Sequence, residues 1–195
     1  SIEAIFEGFF NALKDKGAMS VLYNEEALLN DEPNFVLQPF NNLTYLPKKS
    51  KSVPLTLVLD LDETLVHYAQ ITSETGEFYI RPYSQEFLIE LSPFFEIVIF
   101  TAAVKCYADW IIDRLDTQRC ISHRLYRCSK KKKKGVFIKD LSRIGRELSK
   151  TIIVDNNPDN FQYQAENGIF IKSWYDDPND TALEELSKLL KVVAR

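Results

Sequence analysis

The run Leu55-Thr-Leu-Val-Leu-Asp60-Leu-Asp62-Glu-Thr64-Leu-Val-His67 decides how the rest of the chain is read. A short apolar stretch rich in β formers ends in two aspartates spaced two apart. Continuous apolar strands suit a parallel sheet covered on both faces. Two carboxylates at such a strand's end are costly to bury uncompensated. A hard cation with oxygen ligands, such as Mg2+, would compensate them. An acidic turn or helix cap fits the pair on its own equally well.

Three further runs share this character: Phe95–Phe100, Thr151–Asp155 and Gly168–Lys172. Helix-like stretches separate them. Pro82–Leu91 opens with a first-turn proline, and Val104–Leu115 has apolar residues three and four apart. Pro158–Glu166 follows Asn157, a good N-cap. Thr181 and Glu184 have capping-box spacing before a last helix toward Val192. The alternation predicts an α/β doubly wound sheet. Ligands of such sheets sit beyond the carboxyl ends of the strands.

Polar residues collect at those ends. The second run ends in Phe100-Thr101-Ala102-Ala103, a hydroxyl and backbone N–H groups able to hold an anion. Lys139 follows a short apolar stretch. The third run ends in Asp155-Asn156-Asn157-Pro158. Taken singly, these fit helix caps or a surface lysine.

In order, Asp60-x-Asp62-x-Thr64, Thr101, Lys139 and Asp155-Asn156 resemble the motif series of the haloacid dehalogenase phosphotransferases. The longer stretches Asp60–His67, Phe100-Thr-Ala102, Lys105-x-Tyr-Ala-Asp109, Lys139-Asp-Leu-Ser-Arg-x-Gly-Arg146, Asp155-Asn156-x-Pro158 and Ser173-Trp-Tyr-Asp-Asp177 look like the FCP/SCP-type protein phosphatases. These comprise the small C-terminal-domain phosphatases and their NLI-interacting-factor-like relatives. The resemblance covers about Val53 to Leu190. It implies a haloacid-dehalogenase-like parallel sheet with helices on both faces and no large cap domain.

The resemblance assigns Asp60 as nucleophile and Asp62 as general acid, then base. It gives Mg2+ to the Asp60 carboxylate, the Asp62 backbone carbonyl and Asn156, with Asp155 beside it directly or through water. Thr101 and the N–H groups of Ala102 and Ala103 would hold phosphate oxygens, and Lys139 would offset developing charge. Val104 and Arg127 stand where the family contacts substrate. The stretch Tyr68–Ile80 is shorter than the family's insertion, which puts RNA polymerase II tail specificity in question. The resemblance also embraces a non-catalytic rival, a mitochondrial import receptor-like binding module.

Only 38 residues separate Asp62 from Thr101, and 37 separate Thr101 from Lys139. Neither gap holds a large cap, so the site stays open. An open site suits a phosphorylated protein side chain better than an engulfed metabolite.

The whole chain has 195 residues, 45% hydrophobic, with 24 basic and 28 acidic side chains. That balance argues against a nucleic-acid binder. No apolar run reaches membrane-spanning length, so membrane contact is not evident. Cys106, Cys120 and Cys128 match no zinc spacing. Reduced thiols point to an intracellular protein, nuclear or cytoplasmic, and a monomer is expected. His67 and His123 have no metal-ligand spacing.

Residues 1–52 form a separate extension before a catalytic domain at 53–195. Ile2, Ile5, Phe6, Phe9, Phe10 and Leu13 predict an amphipathic helix, and 30–51 an irregular connector. The run Lys130–Lys134 fits a solvated loop, a docking surface for acidic partners or a nuclear-targeting signal.

Overall fold

A computed structural model describes residues 44–49, 53–71, 76–126 and 137–195. The expected N-terminal helix, Arg127, Cys128 and the run Lys130–Lys134 lie outside the described residues. The chain divides into two compact units, and the larger, Asn41–His67 with Ile80–Arg195, carries the sheet. Within it, Tyr45 and Leu46 are buried although their surroundings read as connector. Tyr45 N–H donates to the Arg143 carbonyl (2.7 Å), and its ring meets Phe100 edge-on. The described residues of the other unit are the arms of a two-stranded ribbon, in β2 (Val66–Gln70) and β3 (Gly76–Ile80). A Cβ on Gly76 would come within 2.1 Å of the Tyr68 hydroxyl, so glycine is required there.

The sheet has the order β5-β4-β1-β6-β7. Its strands are β1 (Leu55–Leu59), β4 (Phe95–Phe100), β5 (Ile121–Leu125), β6 (Thr151–Asp155) and β7 (Gly168–Phe170). Every pairing is parallel. Leu57, Val58, Leu59 and all of β4 are buried, as continuous apolar strands require. From β1 the chain steps outward to β4 and β5, then returns to β6 and β7 on the other side. Right-handed crossovers in opposite directions cover opposite faces. The point of reversal flanks β1, and a ligand site is expected at its carboxyl end.

Four strands coincide with the apolar runs. The fifth, Ile-Ser-His-Arg-Leu, is an edge strand interrupted by polar residues, and within it only Leu125 is buried. The helices are α1 (Ser84–Leu91), α2 (Lys105–Leu115) and α3 (Ala182–Val193). The segment Pro158–Asn167 is a kinked 3-10 stretch, broken at Phe161 and Gln164, rather than an α-helix. The expected capping box before α3 does not form. Thr181 donates instead to the Glu185 carboxylate (2.8 Å), while Asp180 accepts the Ala182 N–H (3.2 Å). Among the described residues no helix is long and apolar enough to cross a membrane.

At the amino end of the sheet Glu96 of β4 is buried opposite Thr56 of β1. Arg146 grips it with two nitrogens (2.6 and 2.9 Å), and His123 Nε2 lies 3.3 Å away. Burial alone would raise the Glu96 carboxyl. The Arg146 hydrogen bonds and charge outweigh it and hold the group below the usual range. The pair's contribution is therefore full above the ordinary carboxylate pKa and fades as pH falls through the lower folded value. Arg146→Ala should cost about 3–5 kcal/mol in urea unfolding at neutral pH, because it strands a buried charge. In Glu96→Gln this share of the acid sensitivity should vanish.

Candidate active site

Three strands deliver the polar residues to one edge of the sheet. Asp60 follows β1, and its N–H donates to the Val154 carbonyl (3.0 Å), extending the pairing with β6. Thr101 follows β4, and its N–H donates to the Leu125 carbonyl (2.9 Å). Asp155 closes β6 and is buried.

Lys139 joins two of these ends. Its ammonium, fully buried, donates to Asp60 Oδ1 and to Asp155 Oδ2 (2.6 Å). Burial disfavours the charged lysine, but the two carboxylates outweigh that and raise its pKa. Asp60 Oδ2 accepts from the Thr64 hydroxyl (3.1 Å). Burial, opposed by Lys139, raises Asp60 to about 6.

Asp62 has separate partners. Its Oδ1 accepts from the Tyr107 hydroxyl of α2 (2.6 Å), and its Oδ2 makes a long contact with the Thr101 hydroxyl (3.5 Å). Burial raises its pKa to about 6, against the Tyr107 hydrogen bond. The chain turns away at Glu63, which holds a left-handed backbone (φ 57°). The Glu63 carbonyl accepts the Trp174 N–H (2.8 Å). The buried Arg81 donates to the Thr64 carbonyl (3.1 Å) and to both oxygens of Asp180 (2.7 and 2.9 Å).

Thus Asp60, Asp62, Thr101, Lys139 and Asp155 converge. Asn156 lies beside them, its amide nitrogen donating to the Ser173 hydroxyl (3.0 Å). Ala103 N–H is taken up by the Thr101 hydroxyl (2.9 Å), so it is not a phosphate donor in this arrangement. Ala102 and Val104 are half-buried between β4 and α2. Trp174 is buried, with its indole N–H on the Asp177 carbonyl (2.8 Å), whereas Tyr175 beside it is exposed.

The donor set fits a hard divalent cation. Three carboxylates, Asp60, Asp62 and Asp155, share the Lys139 ammonium, which leaves two negative charges in excess. Among the described residues no three of His, Cys, Asp and Glu form a metal cage. Mg2+ does not need one, since it keeps several waters and accepts neutral oxygens such as those of Asn156 and a backbone carbonyl.

Sequence reasoning did not single out Tyr107, Arg81 or Asn160. Tyr107 carried a signal, lying within the Lys105-x-Tyr stretch that marks the resemblance. Arg81 acts through a partner 99 positions away in the chain, which no local pattern foretells, and the side-chain amide of Asn160 reaches back five positions to Asp155 from within a kinked turn.

The family described as NLI interacting factor-like phosphatase matches residues 55–195. A probable C-terminal domain small phosphatase of Dictyostelium discoideum is 45% identical over 69% of this chain and 49% of its own length. CTD small phosphatase-like protein 3 of Caenorhabditis elegans is 37% identical over 91% of this chain and 68% of that protein. The chain spans only 49% and 28% of two matching Dictyostelium relatives. The solved structure of Fcp1, an RNA polymerase II CTD phosphatase, shares the fold. It has a TM-score of 0.60 at 17% identity, covering 72% of this chain and 62% of that one.

Tyr107→Phe removes the donor to Asp62 Oδ1 and little volume. It should lower kcat toward an aryl phosphate about tenfold, the scale of losing an orienting partner, with the thermal midpoint nearly unchanged. Steady-state kinetics and a melting curve check both.

Proposed function

The chain belongs to the NLI interacting factor-like phosphatase family, and on that premise we propose that it is a Mg2+-dependent protein serine/threonine phosphatase. The observation that carries this reading is the different company kept by Asp60 and Asp62. Asp60 is held by the Lys139 ammonium and the Thr64 hydroxyl, donors that fix an ionised carboxylate in place and suit a nucleophile. Asp62 is held by Tyr107 and Thr101, hydroxyl groups suited to steadying a carboxyl that gains and loses a proton.

In this mechanism an Asp60 oxygen attacks the phosphorus of a phosphoserine or phosphothreonine. The bond from phosphorus to the substrate oxygen breaks, and Asp62 gives its proton to that oxygen. A water then attacks the aspartyl phosphate and yields its proton to Asp62. The bond between Asp60 and phosphorus breaks, and inorganic phosphate departs. Thr101 and the Ala102 N–H hold phosphate oxygens, while Lys139 offsets charge on Asp60 and the transferring group. Mg2+, bound through Asp60, the Asp62 carbonyl and Asn156 with Asp155 nearby, would supply positive charge to the phosphoryl oxygens. Val104 and Arg127 would contact the substrate chain.

The short connections between motifs support an open site and a phosphorylated protein segment as substrate. Relatives named for the C-terminal domain support a polymerase-tail-like segment. A nuclear or cytoplasmic place of action belongs to the same proposal.

Hydrolysis of an aryl phosphate should require Mg2+ and stop when it is chelated. Asp60→Asn should reduce turnover on the order of 10³-fold or more, and Thr101→Ala about 10²-fold. Wild-type activity in Asp60→Asn would overturn the assignment. A folded, inactive wild type would favour the binding-module alternative. A phosphopeptide panel then ranks substrates.

A further inference from the structure

Lys139 is not carried by a strand. It lies between the end of the described gap and the 3-10 turn Leu141–Arg143, so its position must be fixed by side-chain and loop contacts. Upstream, the Phe137 ring packs edge-on against Phe100. From the other side, the segment Pro158–Asn167 reaches over it with two amides four residues apart. The Asn160 carbonyl accepts the Lys139 N–H (2.6 Å). The Asn160 side-chain nitrogen donates to both oxygens of Asp155 (3.0 and 3.1 Å), the carboxylate that Lys139 itself grips. Gln164 Oε1 accepts the Leu141 N–H (2.9 Å), and its nitrogen donates to Asp140 Oδ1 (3.0 Å).

We propose that Asn160 and Gln164 are positioning residues, a two-amide clamp that aligns the Lys139 ammonium between Asp60 and Asp155. Asn160 fixes the backbone of the lysine and the carboxylate opposite it together. Gln164 fixes the two residues that follow the lysine. Both are neutral, so Asn160 orients Asp155, and Gln164 the 140–141 backbone, without offsetting the charge that holds Lys139. Asp155 Oδ1 also accepts the Asn157 N–H (2.8 Å), which leaves this carboxylate set on all sides by donors. The backbone departs from helical geometry at Phe161 and Gln164, within the span of the two amides. A misplacement of the ammonium by a fraction of an ångström weakens its hold on Asp60, and reaction rates are sensitive to such errors.

The inference rests on the phosphatase reading of Asp60 and Lys139. It is tested with Asn160→Ala, Asn160→Asp and Gln164→Ala in the full chain, using aryl phosphate hydrolysis with Mg2+ and thermal melting. Asn160→Ala and Gln164→Ala should each lower kcat about tenfold, the scale of losing an outer partner, with KM within twofold. Asn160→Asp keeps the volume but turns the donor into a second carboxylate, and should lose at least as much. Wild-type kcat in Asn160→Asp, or in Asn160→Ala with a lowered melting midpoint, would reduce Asn160 to a space-filling role and overturn the proposal. If the wild type hydrolyses nothing, the phosphatase reading fails, and the clamp is read from melting alone. Asn160→Ala should then shift the midpoint less in an Asp155→Asn background than in the wild type. Equal shifts in both backgrounds would overturn it.

Discussion

A lysine ammonium out of contact with water exists as a cation only where negative charge surrounds it, and Lys139 finds that charge in Asp60 and Asp155. These aspartates end two adjacent parallel strands, β1 and β6. Two carboxylates brought so close would repel each other; the ammonium between them turns the repulsion into a bridge. Removing the ammonium leaves two buried carboxylates facing each other, the costly outcome for ionic groups in a low dielectric. The bridge therefore constrains the sheet edge, the path of the chain around residue 139, and the orientation of the candidate nucleophile at once.

The two ends of the sheet treat buried charge differently. At the amino end, Glu96 is answered by Arg146, His123 and Lys49, and its carboxyl is held in the charged form. At the carboxyl end, burial raises the pKa values of Asp60 and Asp62, and the Lys139 charge opposes it only in part. A fold gains nothing in stability from the second arrangement. An excess of negative charge in a partly enclosed site becomes useful only when a cation and a transferring phosphoryl group complete it. The contrast separates a charge cluster that serves the fold from one that serves chemistry.

The sheet was legible where burial on both faces left unbroken apolar runs, in β1, β4 and β6, and β7 was visible as a short apolar run although it lies at the other edge and is only partly covered. The edge strand β5 was not, since Ser122, His123 and Arg124 break the run. The convergence of Asp60, Asp62, Thr101, Lys139 and Asp155 was legible because topology sends every strand end to the same edge. The contacts that steady them were less so. Arg81 meets Asp180 across 99 positions, and Asn160 works through a kinked turn that reads as an ordinary helix. Thr181 shows the limit of local motifs: its spacing to Glu184 matched a capping box, yet its hydroxyl turned to Glu185 and the cap fell to Asp180.

The different surroundings of the two aspartates follow from the strand order. Residues two apart on a strand point to the same face, and a continued β1 would have given Asp60 and Asp62 the same neighbours. The pairing instead ends at Asp60, whose N–H still bonds to Val154 of β6, and the backbone reverses at Glu63. Asp60 thus stays with the β6 side and its partners Lys139 and Asp155. Asp62 swings to the β4 side, where Thr101 and the first turn of α2 supply hydroxyls. Because β1 lies between β4 and β6 at the point where the chain reverses direction, one strand end reaches two chemically distinct environments. A carboxylate fixed beside an ammonium and a carboxyl fixed by hydroxyls suit the two proposed roles, nucleophile and proton donor.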